Sequence, residues 1–101
     1  MAEDTNKKTL KVDVVSVSHR IWHGLATMVI ARTVGGDVGI MPGHAPILGL
    51  MEEGKLVIKT LHEGEIVAET RGGFLSVDDD KVAVIANDVR ISSDHDIEDT
   101  Y

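Results

Sequence analysis

The sequence predicts an all-β domain, a sandwich or barrel, on three observations. Short runs rich in Val and Ile are separated by turn signals every few residues. Such β-branched residues suit a pleated, half-buried surface. No long window carries the sustained apolar period of an amphipathic helix.

The elements follow in chain order. Residues 1–9 read as a polar lead-in. Leu10, Val12 and Val14 then alternate with Lys11 and Asp13, which predicts a half-buried strand to about Val17. "SHRIWHG" breaks the alternation and ends in Gly24, where a turn is expected. "LATMVIART" (25–33) is the second strand, closed by the glycine pair of "VGGD". "EEGK" (52–55) is a turn, and "KLVIKT" (55–60) a strand with Leu56 and Ile58 on one face. "HEGE" (62–65) is a tight hairpin connection at Gly64, and "EIVAET" (65–70) the returning strand. "RGG" punctuates, "FLSV" (74–77) is a short strand, and "DDDK" (78–81) a charged turn. "VAVIA" (82–86) is the most apolar run and is expected to be the most buried strand. The tail "SSDHDIEDTY" is acidic and too short for a stable helix.

Between the second strand and "EEGK" lies "GDVGIMPGHAPILGL", Gly36 to Leu50. It holds both prolines, one histidine and four of the ten glycines. Glycine permits positive φ, whereas Pro42 and Pro46 fix φ and remove donors. Val38, Ile40 and Met41 lie in this constrained stretch, and exposing them requires cover from the domain's own sheet or from a partner.

Composition narrows the function classes. At 101 residues the chain is one domain with one modest core. Aromatics are 3% of the residues, so that core must be aliphatic. There is no cysteine, which excludes disulfides and thiolate metal sites and fits a cytosolic setting. The net charge of −7, with no basic stripe, argues against nucleic-acid binding. The polar N-terminus is not a secretory signal, and no run approaches the roughly 20 apolar residues that span a membrane.

Several motifs imitate chemistry and fail on detail. "GLMEEGKL" (49–56) matches seven positions of the phosphate-cradling loop. Leu56 stands where a magnesium-ligating hydroxyl is required, and Glu52 and Glu53 would repel phosphate. "DDDK" begins like a calcium loop, but the later ligand positions fall on Val82, Ala83 and Val89. His19 and His23 share a face only in a helix, and no third metal ligand lies near. His44 has Asp37 as the only carboxylate of its stretch and no serine or cysteine beside it, so no catalytic set forms. No cofactor is expected.

"GGDVGIMPGHAPILGLMEEGKLVI", followed about twenty residues later by "GGFLSVDDDKVAVIAND", resembles the epsilon subunit of the F-type proton-translocating ATP synthase. "LKVDVVS" resembles that family's opening strand, and the resemblance covers about residues 9–91. It implies a flattened antiparallel β-sandwich over 10–91, with 92–101 an acidic tail. It also implies a non-catalytic place in the central rotor stalk, beside the gamma subunit and on the c-subunit ring. Contact with the membrane would be through the complex only, at the cytoplasmic face of the bacterial plasma membrane. By position in the motif, Asp37, Val38, Gly39 and Ile40 would face the c ring. Ser16, Met41, Pro42, His44 and Gly49 would face gamma.

The family pattern continues into a two-helix hairpin, and this sequence stops at "DHDIEDTY", about where the first helix would begin. ATP binding and helix-mediated inhibition are therefore not carried over. A free-standing β-sandwich that binds a small ligand or peptide is the alternative. An enzyme using His44 is a third reading.

Overall fold

The computed structural model describes residues 8–93, which contain nine strands and no helix. They are β1 (Leu10–Ser16), β2 (Arg20–Thr33), β3 (Gly36–Ile40), β4 (Ile47–Leu50), β5 (Gly54–Thr60), β6 (Glu65–Arg71), β7 (Phe74–Asp78), β8 (Lys81–Ala86) and β9 (Asp88–Ser93). The predicted lead-in and tail lie largely outside the described residues.

All nine strands belong to one hydrogen-bonded sheet, in the order β4-β7-β8-β1-β2-β5-β6-β9, with β3 paired to β2 off that path. The sheet folds over on itself. β1 and β9 are four steps apart in the order, ~19 Å in a flat sheet at about 4.8 Å per step. Yet their Cα atoms approach within 8 Å. The fold-over runs along β2, fourteen residues long. Its first half pairs with β1 and its second half with β5 and β3. The register shifts between Ala26 and Met28. There the buried phase moves from Ala26 to Val29, Ala31 and Thr33. One extra residue thus lets a single strand serve both layers.

The inner face is one aliphatic core. Leu10, Val29, Ile40, Leu56, Leu75 and Val84 are each fully buried, and Val12, Val14, Ile58, Val77 and Val82 pack with them. Two backbone contacts close the end of the sandwich: Thr33 bridges Met51, and the Val34 N–H donates to the Leu50 carbonyl.

The structure departs from the sequence reading in four places. β1 runs parallel to β8, so the sheet is mixed; the first strand inserts beside the last hairpin, and everything between serves as the crossover. β2 begins at Arg20, five residues early. Gly24 lies inside it rather than in a turn, and the position takes glycine because a Cβ there would stand 2.8 Å from the Trp22 ring. β9 was not anticipated, since its alternation is masked by Asp88, Arg90 and two serines. β8 is not buried on both faces. Val82, Val84 and Ala86 point inward, while Ile85 points out and is 47% exposed.

The turns behave as their residues require. Asp79 and Asp80 both adopt positive φ (53° and 62°) in the β7–β8 turn. Gly73 is the tightest point of the fold, with φ 109°. A Cβ there would lie 2.0 Å from the Ile85 carbonyl oxygen, while its own carbonyl accepts the Met51 N–H at 2.9 Å. Gly73→Ala should therefore lower the melting temperature by about 10 °C or more, read by far-UV circular dichroism.

Candidate interaction surface

Asp37 is placed by a short hairpin. The Thr33 hydroxyl donates to the Gly36 carbonyl at 2.8 Å and accepts the Gly35 N–H at 3.1 Å, shaping the turn from β2 into β3. Alternation along β3 then sends Asp37 and Gly39 outward and Val38 and Ile40 inward. Asp37 is exposed, and its Oδ1 lies 3.4 Å from Nη1 of Arg32, directly opposite in register. Val38 is half-buried against the core. Ile40 is wholly buried, which corrects its reading as a ring-facing side chain: it anchors the hairpin instead.

The connection from β3 to β4 carries Met41, Pro42 and His44. Met41 is 55% exposed. The His44 N–H donates to the Met41 carbonyl at 3.1 Å, and its Nδ1–H donates to the Ala45 carbonyl at 2.8 Å. The ring thus braces its own turn. Asp80 Oδ1 accepts the Gly43 N–H at 2.7 Å, across 37 residues of sequence. The same residue's carbonyl accepts the Lys11 N–H, so one aspartate ties this loop to β1 and the β7–β8 turn.

Ser16 is buried at the end of β1. Its hydroxyl donates to the His19 carbonyl and accepts the N–H groups of Ser18 and His19. It therefore organises the β1–β2 turn. Gly49 is half-buried between two exposed leucines of β4. The phosphate-loop mimic is dispersed: its glycines flank the β4–β5 corner, and Lys55 lies in a strand opposite Glu69. No group of three His, Asp or Glu side chains among the described residues is arranged to hold a metal ion.

The register also reveals a feature that the sequence reading missed. Leu50 pairs with Phe74, Phe74 with Ile85, and Ile85 with Val15. These four form an outward row across β4, β7, β8 and β1. Leu48 adds a second position, 77% exposed, and Leu50, Phe74 and Ile85 are 54%, 48% and 47% exposed. Contiguous exposed apolar surface of this kind marks an interaction face. The opposite layer differs. There Lys55, Glu69 and Arg90 stand in one outward row, Lys59 faces Glu65, and Arg71 faces Asp88. The apolar row occupies one end of its face, whose other outward positions are Lys11, Asp13, Ser76, Asp78, Lys81 and Ala83, whereas the opposite face sets these charged pairs around a central Val57–Val67 pair. The signal was present in "ILGL", "FLSV" and "VAVIA": each is apolar on both parities of a strand.

A family model described as "ATP synthase, Delta/Epsilon chain, beta-sandwich domain" matches residues 9–91. An ATP synthase epsilon chain of Streptomyces griseus is 42% identical over 89 residues, 88% of this chain and 72% of that one. An ATP synthase epsilon chain of Micrococcus luteus is 44% identical over 82 residues, 81% of this chain and 90% of that one. In a cryo-EM structure of the Euglena gracilis mitochondrial ATP synthase (OSCP, F1 and c-ring, rotational state 1), one chain shares the fold. Its TM-score is 0.79 at 17% identity, over 93% of this chain and 61% of that chain, so the present chain spans about three fifths of its length.

If the apolar row faces outward, its members should be dispensable for folding. Phe74→Ser and Ile85→Ser should each cost about 1 kcal/mol or less in urea unfolding, whereas Leu75→Ala should cost about 2–5 kcal/mol.

Proposed function

The chain belongs to the ATP synthase delta/epsilon β-sandwich family, and from that premise we propose that it is a non-catalytic subunit of the central stalk of the proton-translocating ATP synthase. In this reading it binds the gamma subunit on one surface and the c ring on another, coupling proton flow to ATP synthesis. The observation that carries the reading is the exposed apolar row at the β4 end of one outer face. A freely soluble module has no use for a row of Leu48, Leu50, Phe74 and Ile85, whereas a subunit clasped along one side does.

Gamma would cover the apolar row and the loop beside its β4 margin, with Met41 supplying further exposed apolar area. Pro42, His44 and Gly49 shape that margin, and Ser16 holds the turn at the other end. The c ring would meet the β2–β3 hairpin, through Asp37 and Gly39 with Val38 behind them. Val38 and Ile40 tie this tip to the core, so a load on the hairpin passes directly into the sheet. No helix among the described residues is long and apolar enough to cross a membrane. In the proposed assembly attachment is through the ring, with the chain peripheral at the cytoplasmic face of the bacterial plasma membrane.

Surface ion pairs contribute only about 0–1 kcal/mol each. Apolar burial must therefore hold the stalk together, with charge setting register and encounter rate. A tagged chain should co-purify with gamma and c subunits from solubilised membranes; recovery of neither would defeat the proposal. Phe74→Asp should abolish gamma binding, by at least about tenfold, while the isolated domain melts nearly as before. Asp37→Lys should weaken ring docking and leave gamma affinity intact. Gamma binding is read by titration calorimetry and ring docking by sedimentation with purified ring.

A further inference from the structure

Arg32 is the one cation set directly against Asp37 in the cross-strand register. Its guanidinium also reaches toward Glu52, with Nε 3.9 Å from Oε1. The backbone is coupled at the same place, because the Glu52 N–H donates to the Arg32 carbonyl at 3.1 Å. The stem of Arg32 lies in a slot left by Gly54: a Cβ on Gly54 would fall 2.9 Å from both Cβ and Cγ of the arginine. With its stem against a glycine and its guanidinium between two carboxylates, Arg32 is biased toward one orientation.

We propose that Arg32 is the positioning residue of the Asp37 contact. It rests on the ring-facing reading of the β2–β3 hairpin. Arg32 engages Oδ1 of Asp37, and a carboxylate offers about four lone-pair sites. The group is thus oriented without being consumed, and it can still accept from a donor on a ring loop. Glu52 fixes the guanidinium from the other side. It links the tip of β3 to the β4–β5 corner, so the charge that meets the partner is referenced to two parts of the sheet. The planar fork of arginine suits this double contact, and lysine offers only a point charge.

The opposite possibility is that Arg32 merely competes with the ring for Asp37. The two differ in sign. Removing a competitor tightens docking, whereas removing a positioning group weakens it. The full chain is bound to purified c ring at low salt, and its dissociation constant is compared among variants. Arg32→Ala is expected to weaken binding about twofold to fivefold, the size of one exposed ion pair. Arg32→Lys should fall between it and the parent. Gly54→Ala keeps every charge but displaces the arginine stem, and it should weaken binding comparably. Melting of each variant, and an unchanged affinity for gamma, separate loss of positioning from loss of fold. Arg32→Ala binding the ring as well as or better than the parent would overturn the proposal. Asp37→Asn distinguishes the two levels. If it weakens docking and Arg32→Ala does not, only the role of Arg32 fails. If Asp37→Asn docks normally, the ring-facing reading fails and Arg32 falls with it.

Discussion

A single sheet has only one inner face, and everything else in this molecule depends on closing that face on itself. The closure turns on β2. A strand that kept strict alternation through fourteen residues would commit one parity to the core from end to end. The slip between Ala26 and Met28 changes that parity, so the same strand can feed two layers. With little aromatic content, the enclosed volume must be filled by many small aliphatic contacts rather than a few large rings. Such a core tolerates little slack, since each methylene is felt by its neighbours.

Closure also determines what remains outside. Side chains on the outer parity of β4, β7, β8 and β1 have no layer above them, and there the chain places Leu48, Leu50, Phe74, Ile85 and Val15. On β5, β6 and β9 the same parity carries Lys and Arg opposite Glu and Asp, with Val57 opposite Val67 between them. Charge ladders keep a sheet soluble and discourage nonspecific stacking. An apolar outer row does the reverse. The domain therefore exposes an apolar row at the β4 end of one outer face and charged pairs on the other before any partner is considered.

Much of this was legible in the sequence, and the exceptions have physical causes. Leu10, Val12 and Val14 announced β1 because the period of two was clean. Gly64 and the "DDDK" turn were readable because a hairpin requires residues that accept positive φ. Gly24 misled because glycine signals either a turn or a close approach, and only the Trp22 ring decides between them. β9 was hidden because its edge position leaves several outward places polar. The parallel pairing of β1 with β8 could not be read locally, since it joins residues some seventy positions apart. Among the candidate contacts, Asp37 and Met41 emerged exposed. Ile40 emerged as core and Ser16 as a turn fastener. Alternation along the strand decides which of the motif's side chains have any surface to offer.

The distinction between holding and aligning follows from the same geometry. Asp37, Arg32 and Glu52 all remain about half exposed, so their mutual attraction is screened by water and salt. Such pairs are too weak to fasten the proposed assembly. Their usefulness lies in direction, because charges fixed to a stiff hairpin favour one angular placement over its neighbours. The apolar row has the complementary property, since burial is strong but nearly blind to orientation. A stalk subunit that must neither slip nor detach needs both kinds of contact, and it needs them on separate surfaces. In the proposed assembly β3 would supply the directional contact and the β4-β7-β8-β1 layer the adhesive one, and the shared core would make them move as one body.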